Sequence, residues 1–106
     1  MVMAPEIHIY SKLDLGQSRG NLEDDIQDRF EDDIEVSGGG QGQGGWNVDL
    51  ELLDEDADVH RFAKKLVKFL QKWGVPRDTY LKVFTSDWKE GQEAERIDFF
   101  GGPAGP

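Results

Sequence analysis

The run Gly38-Gly39-Gly40-Gln41-Gly42-Gln43-Gly44-Gly45 contains the spacing Gly-x-Gly-x-x-Gly at Gly40, Gly42 and Gly45. In a dinucleotide site, this spacing lets the backbone approach a pyrophosphate whose charge rests on the N-terminus of the next helix. Here the next residues alternate, with Trp46, Val48, Leu50 and Leu52 apolar and Asn47, Asp49 and Glu51 polar. Period two is the pattern of a half-buried strand, so the required helix is missing. A kinase-type glycine loop does lie between strands, but it needs valine two residues beyond its last glycine, where Asn47 stands. No lysine-serine pair follows either, so a P-loop is excluded. The glycine run predicts a flexible hairpin loop that another backbone, or a peptide, can approach closely. Gly40, Gly42 and Gly44 are therefore candidate partner-contacting residues, with Asn47, Asp49 and Glu51 as the polar comb beside them. Phosphate or nucleotide binding by the amides of residues 38–45 is the alternative expectation.

Other chemistries fare worse. Asp54-Glu-Asp56-Ala-Asp58 alternates like the start of a calcium loop. The sixth position is Val59 instead of glycine and the twelfth is Lys65 instead of glutamate, so an EF-hand is rejected. These acids suit a helix N-terminus instead. His8 and His60 are the only histidines, and neither has a metal-ligand partner one helical turn away. The chain has no cysteine, which excludes disulfides, thiolate zinc sites and cysteine nucleophiles. No catalytic residue, metal or cofactor is expected.

Charge is the strongest compositional signal. The 106 residues carry a formal net charge of −10. Residues 23–58 hold fourteen acids and one base, Arg29, whereas residues 60–77 hold six bases and no acid. This balance opposes general nucleic-acid binding, which needs clustered cations against phosphate, and favours a basic protein partner. Arg61, Lys65, Lys68 and Lys72 read as one solvated helix face, partly neutralised by the acidic first helix or by another subunit. The N-terminus lacks the basic and apolar segments of a signal peptide, and no stretch approaches the ~20 apolar residues of a membrane helix. The expectation is a cytoplasmic protein with no membrane partner.

Behind these residues stand the elements that must position them. Glu6–Tyr10 alternates and predicts a strand. Asn21 is a suitable N-cap for a helix over 22–32, with Glu23, Asp24 and Asp25 in its first turn and Leu22, Ile26 and Phe30 on one stripe. Ile34–Ser37 and Trp46–Leu53 predict strands on either side of the glycine loop. Val59, Phe62, Ala63, Leu66, Phe69, Leu70 and Trp73 fill one arc of a second helix, capped by Asp56 or Asp58 and stopped by Gly74-Val75-Pro76. Thr79–Thr85 predicts a fourth strand, with Leu81 and Val83 inward, and Arg96–Phe100 a short fifth.

The expected architecture is one α+β domain over residues 1–100, followed by a flexible Gly/Pro tail at 101–106. Its order is the ferredoxin-like β-α-β-β-α-β with an extra C-terminal strand. Two helices would cover one face of an antiparallel sheet. Tyr10, Phe84, Phe100 and one tryptophan are candidates for the open face, which could also pair two copies as a homodimer.

The glycine run, the comb Asn47-x-Asp49-x-Glu51, and a helix ending Trp73-Gly-Val-Pro76 with Thr79 after it carry a resemblance over residues 34–83. Together they resemble a group of small bacterial proteins with a glycine-rich hairpin, some similar to the immunity proteins that accompany secreted toxins. The resemblance implies a non-catalytic module that inhibits a basic toxin, and it carries no catalytic residues. A homo-oligomeric structural domain is a further alternative.

Overall fold

Helix α2 (Val59–Trp73) follows from its sequence. Asp58 has extended backbone angles and its carboxylate accepts from Arg61 N at 3.1 Å, satisfying an amide of the first turn. Val59, Phe62, Ala63, Leu66 and Leu70 are buried on one side. Gly74, at φ 98°, takes the left-handed conformation that ends the helix, and its N–H returns to Leu70 O. Val75 beyond it is buried.

The computed structural model describes residues 4–16, 18–42 and 44–100. The expected tail at 101–106, the N-terminal residues 1–3 and Gln43 of the glycine run lie outside the described residues. The other elements are β1 (Glu6–Ser11), α1 (Arg19–Phe30), β2 (Ile34–Gly42), β3 (Gly45–Leu52), β4 (Tyr80–Phe84) and β5 (Glu95–Asp98).

Helix α1 starts earlier than expected. The cap is Ser18, whose hydroxyl accepts from Gly20 N at 3.1 Å, and not Asn21. Asn21 instead donates its backbone N–H to Ser18 O within the first turn. The acids Glu23–Asp25 consequently fall beyond that turn. Glu23 pairs with Arg19 one turn earlier at 3.2 Å, and Asp25 accepts from Trp73 Nε1 at 2.7 Å, tying α1 to α2. Leu22, Ile26 and Phe30 are buried as their four-residue spacing requires.

The glycine run differs most from its sequence reading. It is not a long loop. Gly38–Gly42 belong to β2, which pairs with β3 up to Gly42 opposite Gly45, and Gly44 lies in a turn just before β3. Gly45 stands at φ 114°, and a Cβ there would collide with the Ser11 carbonyl. Only glycine lets β3 begin so close to the end of β1.

The five strands form one antiparallel sheet in the order β2-β3-β1-β4-β5. β1 and β2 are therefore parallel with β3 between them, and β3 and β4 are parallel with β1 between them. Each helix crosses over one intervening strand. The buried residues of both helices join Ile7, Ile9, Val48, Leu50, Leu81 and Val83 in a single core, so one sheet face is covered. Each such large side chain contributes about 1.5–3 kcal/mol by leaving water. The opposite face carries the alternate residues.

Candidate functional site

The strand register builds the open face row by row. At one end Glu35 pairs with Glu51, and Glu51 with Glu6, so three carboxylates lie side by side across β2, β3 and β1. In the next row Gly38 is opposite Asp49, Asp49 opposite His8, and His8 opposite Lys82. In the third, Gly40, Asn47, Tyr10 and Tyr80 align. The face is graded: acidic over β2 and β3, aromatic and cationic over β4 and β5.

His8 stands at the junction. Its Nε2 is 3.1 Å from Glu6 Oε1, and its Nδ1 is 3.7 Å from Asp49 Oδ1 and 3.4 Å from the Tyr10 hydroxyl. Asn47 donates to Asp49 Oδ1 at 2.9 Å. Burial pushes the Tyr10 hydroxyl above its ordinary pKa of 10.0, and the Asp49 carboxylate and Tyr80 push the same way. Tyr10 and Tyr80 stack at 5.4 Å, Lys82 lies over Tyr10, and the Arg96 guanidinium lies 3.7 Å above the Tyr80 ring. A hydrogen bond to Asp98 raises the Arg96 pKa further.

The expected comb Asn47, Asp49 and Glu51 thus shares one face, with Asn47 and Asp49 half-buried and Glu51 exposed. Gly40 and Gly42 are strand residues and Gly44 lies in the turn. Because β2 pairs along this run, its amides alternate in direction and do not converge as a phosphate cradle would require. Of the aromatic candidates, Tyr10 and Phe84 lie on the open face, and Trp88 meets Phe84 edge-on at 5.0 Å. Phe100 instead packs against the margin of the core, and Trp46 is buried within it.

Glu6 and Glu35 beside the comb, and the band of Tyr80, Lys82 and Arg96, are what sequence reasoning missed. Period-two alternation could have assigned each to an outer face. Their grouping depends on which strands adjoin β1, a non-local choice.

Two of the acids at 54–58 hold local structure: Asp54 accepts from Asp56 N, and Asp58 caps α2. Arg61 and Lys65 line a hollow with Asp32, Asp33, Asp54 and Asp58, so the basic face meets acids there. Among the described residues no group of three or more histidines and carboxylates could hold a metal ion, and no helix is long and apolar enough to cross a membrane.

No protein-family model matches the chain, and no curated protein or solved structure matches it.

Proposed function

We propose that this is a ferredoxin-like domain with β5 added at one edge, acting as a non-catalytic protein-binding module, an immunity-type inhibitor of a basic toxin. The order β2-β3-β1-β4, with both helices on one face, supports the architectural part.

The row Glu35–Glu51–Glu6 carries the functional part. Like charges directly opposite one another across a sheet are destabilising. Among the described residues the basic side chain paired with the row is His8, through Glu6 at 3.1 Å. A partner bringing lysine or arginine would remove the repulsion at the moment of binding. Complementary charge would also steer the encounter, accelerating association more than it deepens affinity.

The test is binding to a basic protein encoded by a neighbouring toxin gene, measured by calorimetry and toxin inhibition. Reversing Asp49 and Glu51 together to lysine is expected to slow association at least about tenfold at low salt and so weaken binding, as loss of steering charge does. Unchanged affinity in that double variant would overturn the acidic-strip reading.

A further inference from the structure

Strand β2 is one outer edge of the sheet. An edge strand presents main-chain N–H and C=O groups that no neighbouring strand takes up. Over its first residues two of these groups, Ile34 O and Val36 N, are satisfied from outside the sheet. The Gln27 side chain of α1 donates to Ile34 O at 3.2 Å and accepts from Val36 N at 3.0 Å. One amide there stands in for a missing strand, and it reaches no further than Val36.

The register shifts between Val36 and Gly38. In antiparallel pairing alternate residues turn both main-chain groups outward. Ile34 and Val36 do so before the shift, and the extra residue moves the outward set to Gly39 and Gln41. Both are exposed. Gly38 and Gly40, by contrast, border the open face: a Cβ on Gly38 would lie 3.6 Å from Asp49 Oδ2, and one on Gly40 would lie 3.2 Å from Asn47 Oδ1. With no side chain at either position, the way from the edge to the Asp49 carboxylate is clear.

We infer that the Gly38–Gly42 edge accepts an extended segment of the basic partner as an additional strand. Its main chain pairs with Gly39 and Gln41, and lysine or arginine side chains cross the bare glycines to Asp49. This rests on the protein-binding reading above and specifies how that partner is held. Charge selects a basic partner over a second copy. A second copy carries the same net charge of −10, so its approach to this edge is opposed.

A short peptide alternating lysine and valine is the probe, titrated into the full chain and followed by amide hydrogen exchange. Exchange at Gly39 and Gln41 is expected to slow at least about tenfold on binding. Gln41→Pro removes an outward N–H that the fold does not use, and edge positions tolerate proline. This variant is expected to keep the wild-type melting temperature and lose the peptide, as is the wild type when offered a peptide N-methylated at alternate residues. Asp49→Asn is expected to weaken binding several-fold. If the peptide binds, is sensitive to Asp49→Asn, but ignores Gln41→Pro and N-methylation, strand addition is wrong and the acidic-strip reading survives. Loss on Gln41→Pro with indifference to Asp49→Asn keeps strand addition and removes the charged contact. No binding at millimolar peptide, or a dimer in light scattering with Gly39 and Gln41 already protected, overturns the proposal.

Discussion

Gly45 carries a constraint that its place in a glycine-rich run conceals. Gly38, Gly40 and Gly42 occupy ordinary strand positions, whereas Gly45 combines φ 114° with a Cβ path blocked by the Ser11 carbonyl. Gly45→Ala is therefore expected to cost more than about 2 kcal/mol in denaturant unfolding, through backbone strain plus displacement of the β1 end. Gly42→Ala, where nothing lies within 4 Å of the added atom, is expected to cost far less. Tyr10 offers a second test at this scale. Its folded pKa is raised above 10.0, mainly by burial, so the folded state resists ionisation. The associated stability is complete below pH 10, the unfolded value, and is lost as pH rises through the folded one. Urea unfolding at pH 9 and pH 11 (both about one unit from the tyrosine pKa of ~10) is expected to show a smaller alkaline loss in Tyr10→Phe than in wild type.

Among the elements, α2 was almost wholly legible. Its apolar arc, Asp58 cap and Gly74 stop are local features that act over one turn. Helix α1 was less so: Asn21 suits a cap by residue type, but Ser18, three residues earlier, takes that place. Burial of Leu22, Ile26 and Phe30 is compatible with either start. The Arg19–Glu23 pair accompanies the earlier one. The glycine run was misread as a loop for a definite reason. Glycine disfavours strands intrinsically, but β3 supplies the ladder that holds residues 38–42 extended. Gln27 completes the outer side of β2 across a sequence gap of seven to nine residues. Gln27→Ala is expected to destabilise the domain by about 1–2 kcal/mol and to speed amide exchange at Val36, since a partly buried N–H loses its acceptor.

For the whole molecule, the graded open face is the dominant feature. Glu51 stands between Glu35 and Glu6, so Glu51→Gln removes repulsion on both sides. This substitution is expected to stabilise the free domain by about 0.2–1 kcal/mol, even as it weakens binding to a basic partner. Raising salt is expected to increase the melting temperature of wild type more than that of Glu51→Gln, because screening relieves only the charges that remain. A stabilising change that impairs binding would mark the carboxylate row as kept for recognition.

Element types, their order, the inward-facing residues of β1, β3, β4 and α2, and the acidic character of the β3 comb all follow from the chain read in order. Each depends on periodicity or capping over a few residues, which local sterics and burial enforce. Placing β1 between β3 and β4, aligning Glu35, Glu51 and Glu6, and converting a glycine loop into an edge strand beside Asp49 all depend on pairing between distant segments. These contacts are chosen by how the two helices and the shared core fit together, and no local pattern encodes them. The glycines remain the centre of the candidate site, but as part of a strand edge, not as a loop.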